Sequence, residues 1–234
     1  MSTIALGVAS IRPAAWVRAV LVASALLATD RATLAQTPVM PAPTTTPDPV
    51  GAKPPEWEFS ASVFGYFVPD DRDYAQPSFT ADRGWLHIEA RYNYEDQDTG
   101  SAWFGCNFAG GKAVWWELTP MVGAVFGNTV GMAPGYRGAI GWWKLEFASE
   151  GEYVLDAGDS SDSFFYNWSE LAVAPVDWLR IGMATQRTRA YQSERDIQRG
   201  FLVGASFKRV DATLYVFNPD DARPTVVVAV GVDF

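Results

Sequence analysis

The sequence predicts an all-β fold, an antiparallel transmembrane β-barrel of about twelve strands. Three observations predict it. Apolar and polar residues alternate with period two over segments near ten residues long, the length of a tilted strand crossing a bilayer. Charged residues make up 19% of the chain against 48% hydrophobic, too few for a Lys/Glu-rich soluble surface. The connections between segments alternate between short and long along the whole chain, as the two ends of a barrel require.

Residues 1–35 read as a secretory signal. Arg12 and Arg18 supply positive charge, and Ala19 to Ala28 form an apolar run too short to span a membrane, which takes ~20 residues. Thr33 and Ala35 suit cleavage before Gln36; the alternative is an uncleaved N-terminal anchor. Residues 36–56, with Pro38, Pro41, Pro43, Pro47, Pro49, Pro54 and Pro55, form an extended spacer.

From 57 to 234 the chain reads as strands at 57–68, 73–81, 84–95, 100–109, 113–126, 132–142, 145–156, 163–174, 178–190, 197–207, 211–217 and 224–234. Leu86, Ile88, Ala90, Tyr92 and Tyr94 share one face of the third segment, and His87, Glu89, Arg91 and Asn93 the other. Trp116, Leu118, Val122, Ala124 and Phe126 oppose Glu117, Thr119, Met121 and Gly123. Leu145, Phe147 and Tyr153 oppose Glu146, Glu150 and Glu152. Turns at Asp82–Gly84, Gly110–Lys112, Trp143–Lys144, Pro175–Asp177 and Lys208–Arg209 are short; the intervening loops are longer and mostly acidic. Aromatic residues gather near strand ends, with Trp85, Trp115, Trp116, Trp142, Trp143 and Trp178 at the short turns and Tyr66, Tyr74, Tyr94, Tyr153 and Tyr191 opposite. Two such belts match two membrane interfaces. A soluble barrel or sandwich would alternate as well, but would carry its charge on the strands rather than in the connections.

The chain closes on Thr225-Val226-Val227-Val228-Ala229-Val230-Gly231-Val232-Asp233-Phe234. This ending resembles the assembly signal of outer-membrane β-barrel proteins of Gram-negative bacteria, a porin-like class. The resemblance implies that Phe234 is read by the barrel-insertion machinery and that the barrel sits among the lipids of that membrane; a monomer is expected.

Inward-facing charge defines the candidate site. His87, Glu89, Arg91, Glu117, Arg137, Glu146, Glu150, Glu152, Glu170 and Arg180 fall on the polar faces, because an Arg at mid-depth on the lipid face costs roughly 2–4 kcal/mol. They line either a passage for small polar solutes or ions, cation-leaning because Glu outnumbers Arg, or a ladder of ion pairs that stiffens a closed anchor barrel. Arg187, Arg189 and Arg199 sit near the outer edge of neighbouring strands and are placed to meet lipopolysaccharide phosphates. A net charge of −9 excludes a nucleic-acid partner. One cysteine and one histidine leave no metal cluster, and no cofactor is expected. Outer-membrane hydrolases are the remaining alternative. His87 is the one histidine that could serve as base, and no nucleophile motif surrounds it, so the chain is read as no enzyme.

Overall fold

The computed structural model describes residues 55–69, 71–187 and 197–234. The predicted signal, nearly all of the spacer, Arg189 and Tyr191 lie outside the described residues. Thirteen strands form one antiparallel sheet: β1 (Glu58–Phe67), β2 (Tyr74–Arg83), β3 (Leu86–Tyr92), β4 (Thr99–Cys106), β5 (Phe108–Gly111), β6 (Val114–Gly127), β7 (Gly131–Trp142), β8 (Leu145–Asp156), β9 (Phe164–Val176), β10 (Leu179–Arg187), β11 (Ile197–Phe207), β12 (Val210–Phe217) and β13 (Thr225–Asp233). The one helical element among the described residues is a 3-10 turn, Ser160–Asp162.

β4 and β5 are one stave. Gly105 pairs with Met121 and Phe108 with Leu118 on β6, a single unshifted register interrupted where the Asn107 amide donates instead to Trp85 O at 2.7 Å. The wall therefore has twelve staves. It closes between β1 and β13, where Ser60 pairs with Asp233 and Phe67 with Val226. Among the described residues closure pairs every stave on both sides, save the short β5, which runs past the β2–β3 turn and pairs only with β6; a closed wall is the condition for a sheet to sit in hydrocarbon. The terminal Phe234 seals the seam. Its amide donates to Phe59 O at 2.9 Å, the Phe59 amide donates back to Phe234 O at 3.2 Å, and the two rings stack at 6.1 Å.

The short connections share the end that holds Glu58 and Phe234. Three are two-residue loops whose first residue takes the left-handed conformation, Gly84 at φ +59°, Trp143 at +54° and Lys208 at +58°; this twist matches that of the strands they join. The Trp143–Lys144 loop is tight, because Trp142 pairs directly with Leu145.

Alternation sorts the side chains. Ile88, Phe104, Leu118, Val122, Phe147, Leu171, Ile181, Val203, Leu214 and Val230 are exposed on the outer surface, an apolar band that only lipid would cover without cost. Trp85, Trp116, Trp142, Trp143 and Trp178 stand exposed around the short-turn end, as a membrane-interface belt does; Trp115, expected there, shares the inward face of Glu117 instead. The opposite belt differs from the sequence expectation. Tyr153 faces outward, but Tyr66, Tyr74 and Tyr94 are buried in the barrel mouth. For Tyr66 and Tyr74 the reason is parity, since Tyr66 shares a face with Ser60 and Ser62, and Tyr74 with Gln76; Tyr94 leaves the outward face of Leu86, Ile88 and Tyr92 because β3 ends at Tyr92 and Asn93 takes a left-handed φ of +58°. The outward aromatics at the loop end include Phe67, Tyr92, Phe126 and Phe165.

Candidate functional site: the barrel lumen

All ten residues expected to line the lumen face inward, and seven of them, His87, Glu89, Arg91, Glu117, Glu152, Glu170 and Arg180, are buried. Nine of the ten fall into three groups. Near the short turns, His87 lies between two carboxylates, with Nδ1 2.8 Å from Asp82 Oδ1 and Nε2 3.3 Å from Glu89 Oε2. Asp82 also accepts from Asn107 Nδ2 at 2.7 Å, and Asn107 accepts from Thr119 Oγ1. Both His87 nitrogens are thus engaged, and the ring is 1% exposed.

The central group spans the lumen. Arg91 on β3 binds Glu89 through Nε at 2.9 Å and through Nη2 at 3.0 Å, and its Nη1 donates to Glu152 Oε2 on β8 at 2.9 Å. The stave β4–β5 and strands β6 and β7 stand between β3 and β8 in the wall, so this ion pair is a chord through the interior. The guanidinium also lies between the rings of Tyr94 at 4.4 Å and Trp103 at 4.7 Å, a desolvated cation–π sandwich. Arg137 extends the group, with Nη1 3.3 Å from Glu89 and Nε 3.2 Å from Glu150. Here the lumen is less tightly filled, since the Arg137 side chain is 20% exposed and that of Glu150 15%. At the mouth, burial raises the Glu95 carboxyl above its ordinary value, opposed by the charge of Arg91.

The third group lies on the far wall. Arg180 Nη2 is 2.6 Å from Glu170 Oε2 and 3.9 Å from Glu146, while Glu170 Oε1 accepts from Trp168 Nε1 at 2.7 Å and from the Tyr215 hydroxyl at 2.8 Å. Glu117 is inward and buried on β6.

Sequence reasoning missed the aromatic part of the site. Trp168 meets Phe64 at 5.7 Å, Tyr215 at 5.0 Å and Phe217 at 5.4 Å between ring centroids. Tyr94 meets Tyr166 at 5.0 Å, and the Tyr66 hydroxyl donates to Gln186 Oε1 at 3.2 Å. β1 and β9 are separated by β13, β12, β11 and β10, so the Phe64–Trp168 contact also crosses the barrel. The loop half of the lumen is filled by the wall's own aromatic side chains, and the short-turn half is charged. The signal was present, because parity with Glu170 places Trp168 inward.

A small residue supports this packing. A Cβ on Gly123 would lie 2.6 Å from the Trp103 ring, so Trp103 reaches Arg91 only because position 123 has no side chain. Gly123→Val is expected to cost about 1–3 kcal/mol through overpacking, read as a lower urea midpoint for loss of the folded, heat-modifiable electrophoretic form.

Arg187 and Arg199 face outward near the loop end on the paired strands β10 and β11, away from the lumen. Cys106 shares the outward face of Phe104.

A closed antiparallel wall, an apolar outer band, a tryptophan belt and a charged interior define a transmembrane β-barrel of the outer-membrane class. No protein-family model matches the chain, and no curated protein matches it. Among solved structures, the chain is similar to one described as "KdgM porin", with TM-score 0.48 and 12% identity, over 75% of this chain and 99% of that one.

Proposed function

We propose that this chain is a narrow channel for ions or small polar solutes in the outer membrane of a Gram-negative bacterium, cation-leaning, with its short turns in the periplasm. The observation that carries the reading is the charge balance of the inward face. Glu58, Asp82, Glu89, Glu95, Glu117, Glu146, Glu150, Glu152, Glu170 and Asp211 outnumber Arg91, Arg137, Arg180 and His87. A barrel serving only as a sealed wall would be at least as stable with an apolar filling. Polar atoms at the constriction support it too, since Gln76 Oε1, Glu95 Oε2, Glu152 Oε1 and the Tyr166 hydroxyl are buried without a protein partner, positions that water or a passing cation would satisfy. The cross-lumen contacts make the described conformation a constricted one. They also favour a second reading, a closed anchor barrel. His87, buried and held by two carboxylates, acts in either case as a link in the charge network rather than as a base. Phe234, at the seam, serves assembly.

The deciding measurement is single-channel recording of the refolded chain in a planar bilayer. Small, cation-selective steps are expected, with selectivity reduced in the Glu150→Gln, Glu152→Gln double variant. A folded barrel that never conducts, even after the constriction is cut back, would establish the anchor.

A further inference from the structure

One sector of the outer surface breaks the apolar band. Tyr136 on β7, Ser149 on β8, and Asn167 and Ser169 on β9 all point away from the lumen. The Tyr136 hydroxyl is 3.0 Å from Ser149 Oγ, which is 2.9 Å from Ser169 Oγ. Asn167 Nδ2 donates to Glu150 O at 2.8 Å, and Ser169 Oγ donates to Asn167 Oδ1 at 3.1 Å. Ser149 sits near the middle of β8, so the cluster lies within the hydrocarbon and not at an interface. The Tyr136 ring lies flat across Gly151, where a Cβ would meet it at 2.9 Å, and the surface there is level. Register continues the seam from Ser169 to Thr185 and on to Arg199, obliquely up to the loop end. On the opposite side of the barrel the corresponding surface is Val63, Val228, Val230 and Leu214.

We propose that this seam is the contact face between two copies of the chain. Hydroxyls and amides facing acyl chains gain nothing from lipid, whereas between membrane segments they act as glue, worth roughly 0.6–2 kcal/mol per contact. The cluster is uncharged and its hydroxyl and amide groups both give and accept hydrogen bonds. It is therefore self-complementary about a two-fold axis, the commonest symmetry of homo-oligomers. The upper end agrees. There a groove of about 670 Å³ is lined by Met183, Ile197 and Phe201 together with Arg199, Asp220 and Asp221. Asp220 and Asp221 beside Arg199 disfavour an anionic lipid as the occupant of this end. The assembly is then a dimer and not the monomer expected from sequence, and it holds whether or not the lumen conducts.

The test is cross-linking of the full chain, refolded into phosphatidylcholine vesicles, in a Cys106→Ala background. With a short bismaleimide, Ser149→Cys is expected to give a dominant dimer band and Val63→Cys, on the far side of the barrel, to remain monomeric. Equal cross-linking at both positions, or none at Ser149→Cys, overturns the proposal. Native mass spectrometry of the wild-type chain is expected to show a dimer that is lost in Asn167→Leu. A monomeric wild type overturns it as well. Should Asn167→Leu fail to fold, the cysteine pair, a far smaller change, still decides.

Discussion

Arg91→Met is expected to lower the stability of the folded barrel by about 3–5 kcal/mol, the cost of removing one member of a buried ion pair. The size follows from what stays behind. Arg91 is the only cation that Glu152 contacts at salt-bridge distance among the described residues, and it holds both oxygens of Glu89. Removing it strands the Glu152 carboxylate and leaves Glu89 only its longer contacts to Arg137 and His87, in a site where each carboxylate is 2% exposed. Arg91→Lys is expected to recover part of the loss, because an ammonium restores charge but cannot fork between Glu89 and Glu152 or stack between Tyr94 and Trp103. The triple variant Arg91→Met, Glu89→Gln, Glu152→Gln is expected to recover more than Arg91→Met alone, since no charge is then stranded. The measurement is the urea midpoint of tryptophan emission in detergent micelles. An Arg91→Met barrel as stable as wild type would show that water, and not the ion pair, carries the interior charge.

Much of the wall was legible because period two is a local signal. Leu145 to Asp156 begins and ends where alternation says it should, and so does Ile197 to Phe207. Parity alone placed His87, Glu89, Arg91 and the Glu146–Glu150–Glu152 row on one side of the sheet. What alternation cannot give is who meets whom across the lumen, since that depends on shear and on the cross-section of the closed ring. Nothing near Arg91 in the chain names Glu152 as its partner, and nothing near Phe64 names Trp168. Parity places Tyr66 and Tyr74 inward despite their nearness to strand ends, whereas Tyr94 escapes alternation because the left-handed Asn93 follows the end of β3 at Tyr92. The seam on β7 to β9 escaped for the opposite reason. Ser149, Asn167 and Ser169 fall on the outward face by the same parity, but small polar residues in a strand look unremarkable until their neighbours in register are known.

Trp168→Ala is expected to raise single-channel conductance several-fold over wild type, the largest functional change available from one substitution in the lumen. Trp168 is where three walls meet, touching Phe64 on β1 and both Tyr215 and Phe217 on β12. Its removal unlinks Phe64 from β9 and strips Glu170 Oε1 of one of its two donors. In a dry core the truncation would leave a cavity costing about 3–5 kcal/mol. Here the gap would border the buried carboxylate of Glu170 and the half-buried one of Glu150, so water can enter and offset part of that loss. The added water connects the charged short-turn half to the mouth, which is what a conductance rise would report. Selectivity should stay cation-leaning, because the variant removes no charge and newly hydrates Glu170. Trp168→Phe separates the contributions. It keeps most of the ring contacts and loses only the hydrogen bond, and it is expected to conduct close to wild type. If Trp168→Ala folds and conducts no more than wild type, the barrier lies at the Arg91–Glu152 chord instead, and the aromatic cluster is packing alone.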